Sequence, residues 1–447
     1  MSDKRVKTDN PRVIAVQILS KIKNGAYSNI QLNQSLLRHQ LNAPDKRLIT
    51  TLVYGVIQHR LTLEYWLAPF IESKKIDPWV RELLYTAIFQ LVYLDKIPKH
   101  AIFNESINVS KILGHVGTAK FVTAILHNID RKGLRKLDAI ENPIDKLSIE
   151  ASLPVWLIQE LFEQQGEEAT RHIISTINEA PKQSIRVNST LIGDDEVITR
   201  LKGENLEVQP SKVANHAYTV SGGHVASTTL YEDGLITIQD ESAMLPVESL
   251  RLNDSVINVL DAAAAPGGKT TQIAQFTSDD CKILALDVHE HKIKLIKSNA
   301  KRLHVDKKIT ARVLDARKVP EVVSTKFDRI LVDAPCSGFG LLRRKPEIRY
   351  DKNLEDVNKL ATLQYEILEA VSHNVSDNGI IVYSTCTILR QENDDVITKF
   401  LSNHPEFELI QTATDKNLKP NRNEKLLHVF PNDYQTDGFF IATLLKK

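Results

Sequence analysis

From about residue 236 the sequence alternates short apolar, β-rich runs with amphipathic helical segments, and this alternation constrains the fold more than any other feature. It is typical of a doubly wound, mostly parallel sheet with helices on both faces. Four of the apolar runs end in an acidic residue, namely Asp261, Asp287, Asp315 and Asp333. A fifth run, residues 379–384, leads into Thr385 and Cys386. Because ligands bind beyond the carboxyl ends of parallel strands, four carboxylates and a thiol are predicted to share one edge.

The first 140 residues read instead as helices, because their apolar side chains recur at spacings of three and four. Asn10 and Pro11 form an N-cap followed by proline at the first helical position. Further helices are predicted from near Asp45 and from Pro78, each with an apolar stripe that indicates a core-facing side. This part of the chain is therefore predicted to be an all-α module.

Residues 141–235 combine helical and strand patterns. A helix is predicted to open near Pro154, and a strand is predicted over residues 184–188. Further strands are indicated by Val208, Val213 and Val220. Since 447 residues exceed the usual size of one domain, we predict more than one. The predicted domains are an all-α domain over residues 1–140, a small mixed α/β domain over residues 141–235 and a doubly wound α/β domain over residues 236–447.

The net charge of +1 conceals an asymmetry between these parts. Residues 1–140 contain 21 Lys and Arg against 11 Asp and Glu, whereas residues 141–447 contain 36 against 45. A basic module joined to an acidic one favours a polyanionic partner for the first part, although a solvated basic surface explains the charge equally well. The best local candidates for a phosphate contact are Arg131, Lys132, Arg135 and Lys136.

Other features exclude broad classes of protein. Three cysteines in 447 residues indicate a reducing compartment rather than a disulfide framework. No apolar run approaches the roughly 18 residues that a membrane-spanning helix needs, and the chain does not begin with the pattern of a signal peptide. We therefore expect a cytoplasmic protein without a membrane partner. A monomer is our expectation for the oligomeric state, although the sequence itself does not determine it. The cysteine spacing also suits neither a zinc site nor a redox pair, so no metal is expected.

The segment that follows the first strand, residues 262–269, is a turn of small residues that leads into a helix. Small residues let a ligand approach the backbone closely. The spacing of the glycines matches neither the dinucleotide fingerprint nor the ATP phosphate loop. Asp287 ends the next strand and could accept both hydroxyls of a ribose, which predicts a nucleoside site. Asp315 could then accept an adenine amino group.

Cys336 lies in an Asp-Ala-Pro-Cys-Ser-Gly segment and Cys386 lies in a Ser-Thr-Cys-Thr segment, after two of the predicted strands. A cysteine at a ligand edge suits thiolate attack on an electrophilic ring, with a nearby carboxylic acid to protonate that ring. The alternative is that both are small buried hydrophobic residues. Cys281 has no chemical partner in the sequence and is predicted to be structural.

With these motifs the chain resembles the class I, S-adenosylmethionine-dependent RNA cytosine-5 methyltransferases, in particular the bacterial 16S ribosomal RNA enzymes of the Fmu/Sun type. Residues 239–243 resemble the entry motif of that family's catalytic domain, and residues 101–106 are similar to another of its segments. The N-terminal helices resemble a NusB-type RNA-binding module. The resemblance covers nearly the whole chain, and it implies a Rossmann-like methyltransferase domain that acts on small-subunit ribosomal RNA.

The resemblance also implies roles for individual residues. The methionine and sugar part of S-adenosylmethionine would be held by Ala263, Ala264, Ala265, Pro266, Gly267, Gly268 and Lys269. Asp287 would bind the ribose, Asp315 the adenine, and Asp333 both the methyl end of the cofactor and the target base. Cys386 matches the nucleophile, which adds to C6 while a protonated Asp333 donates to N3. Cys336 matches the cysteine that assists product release.

One position departs from the family pattern, because Ala263 stands where the family usually has a cysteine. The family assigns no covalent step to that position, so only local packing is affected. Arg343, Arg344 and Lys345 follow the Pro-Cys segment and are candidates for contacts with flanking phosphates, although a solvated loop explains them almost as well. Three alternatives remain open: DNA methylation with Cys336 as the nucleophile, methylation of transfer RNA, and a non-enzymatic RNA-binding factor in ribosome assembly.

Overall fold

The computed structural model describes residues 9–23, 28–72, 74–419, 422 and 424–447. It divides the chain into two compact units. The first comprises residues 1–170 with 345–351, and the second comprises residues 171–344 with 352–447. The expectation about the start of the chain falls on residues 1–8, which lie outside the described part. The division into three domains stays a prediction.

The first unit is built from helices, as the spacing of its apolar residues predicted. They are α1 (Pro11–Ile22), α2 (Ser28–Arg38), α3 (Ala43–Gln58), α4 (Arg60–Ile71), α5 (Pro78–Tyr93), α6 (Lys99–Leu113), α7 (Val116–Lys132), α8 (Pro143–Ala151), α9 (Val155–Gln165) and, much later in the chain, α17 (Ile348–Asp351). The chain passes into the second unit within α10 (Glu167–Thr176). No helix in the described part of the chain is long and apolar enough to span a membrane.

The start of α1 shows why the predicted helix boundaries hold. The Asn10 side chain accepts hydrogen bonds from the backbone N–H groups of Arg12 and Val13, at 2.9 and 3.2 Å. These are groups that the first turn of a helix cannot satisfy internally. Pro11 occupies the first helical position, where its missing N–H costs nothing. The apolar stripes of α1, α3 and α5 then bury their residues in one shared core.

Residues 345–351 join the first unit although they lie within the methyltransferase-like part of the sequence. The buried Arg349 side chain donates to the backbone oxygens of Gln58, at 2.8 Å, and Ala151, at 3.2 Å. The hydroxyl of Tyr350 donates to the Ile57 oxygen at 2.9 Å. These bonds satisfy carbonyl groups at the C-terminal ends of α3 and α8, so the segment is an integral part of the helical unit.

The second unit contains a small antiparallel sheet with the strand order β2-β3-β1-β4. Its strands are β1 (Gln183–Val187), β2 (Glu207–Pro210), β3 (Ala217–Ser221) and β4 (Ile236–Ile238). The strand predicted over residues 184–188 and those at Val208 and Val220 are confirmed. The assignment of Val213 to a strand is wrong, because the Ser211 hydroxyl accepts the Val213 N–H and holds it in a turn between β2 and β3.

The larger sheet has the order β10-β12-β9-β8-β5-β6-β7, with β11 paired to β12. Its strands are β5 (Asn258–Asp261), β6 (Lys282–Asp287), β7 (Ile309–Val313), β8 (Phe327–Asp333), β9 (Val375–Thr385), β10 (Phe407–Ile410), β11 (Leu427–Val429) and β12 (Phe439–Lys446). Strands β5 to β9 pair in parallel, and β12 runs antiparallel to β9. The mostly parallel, doubly wound sheet predicted from the alternating pattern is therefore confirmed.

Helices cover this sheet and connect its strands. In chain order the remaining helices are α11 (Asp194–Gly203), α12 (Thr229–Glu232), α13 (Leu245–Glu248), α14 (Gly268–Gln275), α15 (Glu290–Arg302), α16 (Val319–Val322), α18 (Leu354–Ser372), α19 (Asp394–Asn403) and α20 (Pro431–Tyr434). From β5 the chain proceeds outward to β6 and β7, then returns to add β8 and β9 on the other side. The strand order therefore reverses between β5 and β8, which is where sheets of this kind open a crevice for a ligand.

A buried ion pair gives a test of the helical unit. Glu82 is fully buried and accepts two hydrogen bonds of 2.9 Å from Arg60, so Glu82→Gln should lower the free energy of unfolding by about 3 kcal/mol. The control Glu64→Gln alters a solvent-accessible pair with Arg81, and it should change the free energy of unfolding by less than about 0.5 kcal/mol. The measurement is urea unfolding followed by tryptophan fluorescence.

That fluorescence reports on the first unit, because the tryptophans are Trp66, Trp79 and Trp156. Equal unfolding midpoints for the two variants would contradict the assignment of Glu82 as an internal ion partner of the helices.

Candidate active site

The candidate site is built by backbone hydrogen bonds that continue beyond the ends of the parallel strands. Ala262 N–H donates to the Leu331 oxygen at 2.9 Å, which joins the turn after β5 to β8. Ala334 N–H donates to the Ser384 oxygen at 2.8 Å, which joins the loop after β8 to β9. These bonds hold the segments that follow neighbouring strands at fixed separations. The predicted shared edge is therefore present, with Asp261, Asp287 and Asp333 as the last residues of their strands.

The turn of small residues lies between β5 and α14. Ala264 N–H donates to the Leu286 oxygen at 2.8 Å, and Gly267 N–H donates to the Ala264 oxygen at 2.7 Å. Gly267 has a φ of +103°, and a Cβ placed on it would lie 3.2 Å from the Ile296 Cα. Glycine is therefore required at this position by both conformation and space. The result is a close-packed backbone cradle that ends at the N-terminus of α14.

The two carboxylates predicted to bind a nucleoside have different surroundings. Asp287 is mostly buried, and its Oδ1 accepts from the His289 N–H at 2.9 Å. Asp315 lies two residues beyond the end of β7, where Arg317 donates to it at 2.7 Å. That hydrogen bond lowers the pKa of Asp315, which keeps its carboxylate ionised. Both groups are therefore hydrogen-bond acceptors, as a role towards hydroxyl or amino groups requires.

Asp333 is held between two donors at the centre of the site. Lys269 Nζ lies 2.7 Å from its Oδ2, and the Ser384 hydroxyl donates to its Oδ1 at 2.8 Å. Lys269 also lies over the ring of Phe439, 5.0 Å from the ring centre. A lysine of the small-residue turn thus carries a proton directly beside the carboxylate at the end of β8.

The two predicted reactive cysteines come together. The sulfur atoms of Cys336 and Cys386 are 3.2 Å apart, and both side chains are partly exposed. The hydrogen bond to Cys386, together with burial, raises the pKa of Cys336 well above its usual value. Cys336 therefore keeps its proton at neutral pH and is able to donate a hydrogen bond to the sulfur of Cys386. Cys281 is buried elsewhere, as expected for a structural cysteine.

The position of Cys386 depends on a close backbone approach by Gly340. Gly340 N–H donates to the Cys386 oxygen at 2.9 Å. A Cβ on Gly340 would lie 2.7 Å from that same oxygen, so a larger residue would displace the loop. Behind the other cysteine, the buried Glu392 accepts from the Ser337 N–H at 2.8 Å and from Gln364 Nε2 at 2.9 Å. Hydrogen bonds of Gly340 and Glu392 thus hold both cysteine-bearing loops in place.

Asp261, predicted only as a strand end, is a buried acid in the floor of the site. Burial raises its pKa to about 7. Its Oδ2 accepts from the Thr270 hydroxyl at 2.6 Å, and the backbone N–H of Ala263 is a second hydrogen-bond donor to this carboxyl group. The floor of the small-residue turn therefore holds a buried acid whose partners come from the turn and from α14.

The sequence missed three groups that shape the site: Ser384, Glu392 and Arg186, a buried residue of β1 that contacts α14. Ser384 had a detectable signal, because it precedes Thr-Cys at a strand end. The partners of Glu392 and Arg186 are distant in sequence, so no local pattern reveals them. Among the described residues, no group of three or more His, Cys, Asp or Glu side chains is arranged to bind a metal.

The basic residues after the Pro-Cys segment correct a prediction. Arg343 is buried and donates to the backbone oxygens of Thr436 and Pro431. Arg344 pairs with Asp240 at 2.6 Å and with Asp437 at 2.7 Å. These guanidinium groups are engaged within the protein, so the assignment of this pair to flanking phosphates is wrong.

In the first unit, the candidate phosphate contacts Arg131, Lys132, Arg135 and Lys136 are exposed. Arg135 stacks over the ring of Tyr65, 3.5 Å from the ring centre. Its Nε also donates to the Tyr65 oxygen at 2.7 Å. The arginine is therefore oriented by the protein, while its side chain remains accessible to solvent.

Three family models match this chain. One described as 16S rRNA methyltransferase RsmB/F matches residues 248–445, and a NusB family model matches residues 9–131. A model of the ferredoxin-like domain of RsmF/B-like methyltransferases matches residues 153–225. Together these matches extend over most of the chain and agree with the helical unit and the two sheets.

Individual proteins agree with these matches. A probable ribosomal RNA small subunit methyltransferase B of Bacillus subtilis (strain 168) is 40% identical over 448 residues, covering 99% of this chain and 100% of that protein. A ribosomal RNA small subunit methyltransferase B of Photorhabdus laumondii is 32% identical, covering 92% and 93%. The crystal structure of a methyltransferase homolog from Pyrococcus horikoshii superposes with a TM-score of 0.60 at 26% identity, covering 69% of this chain and 100% of that one.

The asymmetry of the cysteine pair predicts different reactivities. With limiting iodoacetamide at neutral pH, Cys386 should be alkylated faster than Cys336, because only the thiolate reacts and the raised pKa of Cys336 keeps it protonated. The buried Cys281 serves as an internal control and should react last. Peptide mass spectrometry over time gives the three rates. Faster labelling of Cys336 than of Cys386 would reverse the assignment of the proton.

Proposed function

This chain belongs to the 16S rRNA methyltransferase RsmB/F family, and on that premise we propose that it methylates C5 of a cytosine in 16S ribosomal RNA through a covalent adduct with Cys386. Family membership supports the coarser part, an RNA methyltransferase. The observation that supports cytosine C5 is the pair of sulfur atoms 3.2 Å apart, in the loops that follow β8 and β9. Methylation at a nitrogen or a ribose hydroxyl would have no use for a thiol nucleophile.

S-adenosylmethionine suits the crevice between β5 and β8. The cradle of residues 263–269 packs tightly at Gly267, where a Cβ would lie 3.2 Å from the Ile296 Cα, and the acceptors Asp287 and Asp315 lie at and just beyond the ends of β6 and β7. We propose that Ala263, Ala264, Ala265, Pro266, Gly267, Gly268 and Lys269 hold its methionine and sugar part. Asp287 would bind its ribose and Asp315 its adenine. When bound, S-adenosylmethionine supplies an electrophilic sulfonium methyl group.

The proposed reaction begins with the cysteine pair. Cys386 acts as a thiolate whose sulfur accepts the hydrogen bond of the Cys336 thiol. The thiolate adds to C6 of the cytosine, and the electrons of the C5–C6 double bond move towards the ring nitrogen. Protonation at N3 stabilises this charge and leaves C5 with the electron density that methylation needs.

The proton for N3 is available at Asp333. A carboxylate paired with Lys269 accepts a hydrogen bond and carries no proton of its own. Asp333 therefore needs a proton source before it can donate a proton to the ring. The ammonium group of Lys269, 2.7 Å away, is that source in our proposal. The proton passes from Lys269 to Asp333 as Asp333 protonates N3, and it returns the same way when the ring regains aromaticity. Ser384 fixes the orientation of the carboxylate during both transfers.

Product release requires the adduct to break. A base takes the proton from C5, the C5–C6 double bond forms again, and the bond between C6 and the Cys386 sulfur breaks. The departing sulfur carries a negative charge, and the Cys336 thiol is placed to stabilise it with a hydrogen bond. Cys336 thus assists release rather than attack.

The parts of the chain outside the catalytic domain also have roles with an RNA substrate. The target base has to leave its stack to reach the crevice, which costs least in single-stranded or looped RNA. We propose that the basic helical domain, residues 1–140, binds RNA, that residues 141–235 form a second domain beside the catalytic one, and that residues 236–447 carry catalysis. The oriented Arg135 is the first candidate for a phosphate contact.

The two-cysteine reaction predicts opposite effects of two substitutions. With 16S ribosomal RNA and radiolabelled S-adenosylmethionine, Cys386→Ala should lower the methylation rate about a thousandfold or more, because the nucleophile is lost. Cys336→Ala should slow turnover and accumulate a protein–RNA adduct that survives a denaturing gel. Cys281→Ala, which removes the remote buried thiol, should behave like the wild type.

The converse pattern would overturn the assignment. If Cys386→Ala still turned over while Cys336→Ala were inactive, the Pro-Cys thiol would be the nucleophile. If neither substitution affected methylation, the product would not be formed through a cysteine adduct. The assignment of C5 as the methylated atom would then have no structural support.

A further inference from the structure

Arg186 is a fully buried cation, the fourth of the five residues of β1. The neighbouring residues Ile185 and Val187 belong to the apolar core of the small sheet, so Arg186 points to the opposite face. There its guanidinium group meets α14, the helix that begins at the small-residue turn. The proposed reaction gives this residue no role.

The hydrogen bonds of Arg186 converge on that helix. Its Nη1 donates to the backbone oxygen of Gly268 at 3.0 Å, and its Nη2 donates to the Thr271 hydroxyl at 3.2 Å. Its Nε donates to Gln275 Oε1 at 3.1 Å, and Nη1 also contacts the side-chain oxygens of Gln239 and Gln272. One guanidinium group therefore binds both ends of α14.

Each of these acceptors is a neutral oxygen. Burial without a compensating carboxylate among them lowers the pKa of Arg186 to about 9, and the nearby Arg302 contributes. A positive charge beside the first turn of a helix is unfavourable, because the helix N-terminus already carries partial positive charge. Such an arrangement is relieved when an anion binds at that N-terminus.

Through its contact with Gly268, the charge of Arg186 also acts on the backbone of the cradle. The Gly268 oxygen and the Lys269 N–H belong to the same peptide group, so a cation on the oxygen polarises that N–H. The first N–H groups of a helix have no acceptor within it and are available to a ligand. Where the cradle meets α14, the first backbone N–H groups of the helix therefore point towards the ligand, and the positive charge of Arg186 lies behind them.

We propose that Arg186 is a positioning residue that selects the carboxylate end of S-adenosylmethionine by holding a permanent positive charge behind the first turn of α14. This inference rests on the proposed cofactor. In this proposal a residue of the small sheet orients a cofactor that binds at the edge of the larger sheet. The charge acts through the helix and does not touch the reacting atoms.

The test compares two ligands that differ only in the carboxylate: S-adenosylmethionine and its decarboxylated analogue. Calorimetry of the full-length protein without RNA gives both affinities. Arg186→Gln should weaken the binding of S-adenosylmethionine about tenfold, the upper range for a charge at a helix end. The analogue should bind within about twofold of its wild-type affinity, since it has no anion for the charge to attract.

Gln275→Glu gives a second variant that preserves the fold. The new carboxylate would lie beside Nε of Arg186 and neutralise its charge without removing any of the arginine's own contacts. Gln275 Nε2 has no partner among the described residues, so the substitution also removes a buried, unsatisfied donor. It should weaken S-adenosylmethionine binding at least about threefold without lowering the melting temperature. Arg329→Gln is the control and should leave both affinities unchanged, because that arginine donates to the backbone oxygens of Leu250 and Asp328 instead of α14.

The outcomes separate the claims. If the wild type bound neither ligand, the proposed cofactor would fail and this inference with it. If the wild type bound S-adenosylmethionine but both Arg186→Gln and Gln275→Glu left its affinity unchanged, only the role of Arg186 would fail. Equal losses for the two ligands would likewise overturn it, since they would show general damage to the cradle instead of recognition of the carboxylate.

Discussion

The parallel pairing of β5 with β8 and of β8 with β9 is the constraint on which the candidate site depends. Parallel strands deliver their carboxyl ends to one edge, and the backbone bonds of Ala262 and Ala334 extend this order into the loops. The reversal of strand order between β5 and β8 then leaves the crevice open. Residues far apart in sequence meet there because of topology, without requiring a long or specialised loop.

At this edge, titratable groups of the same chemical type have unlike surroundings. Of two adjacent cysteines, Cys336 is held protonated by its hydrogen bond to Cys386 and by burial. Asp333 is paired with Lys269, while the nearby Asp261 is buried with its pKa raised to about 7. Pairs of titratable groups with unlike surroundings are the usual basis for dividing acid and base roles. The environment of each group, more than its chemical type, therefore supports the roles proposed for it.

Sequence patterns predicted the features that depend on local regularity. Strand ends such as Asp287 and Asp333 follow from apolar runs of limited length, and the helical unit follows from its spacing. Features that depend on contacts between distant segments were not predictable. Arg186 looks like an ordinary strand residue until α14 is seen beside it. Arg343 looks exposed because its acceptors lie about ninety residues further along the chain, and this is why its predicted role was wrong.

The central claim is that this chain forms 5-methylcytosine in 16S ribosomal RNA and does so with Cys386. Bisulfite sequencing of that RNA from cells lacking the gene, complemented with the wild-type gene or with Cys386→Ala, tests it most directly. The account predicts that one protected cytosine disappears in the deletion and returns only with the wild-type gene. An unchanged pattern of protected cytosines in the deletion strain, or full restoration by Cys386→Ala, would contradict it.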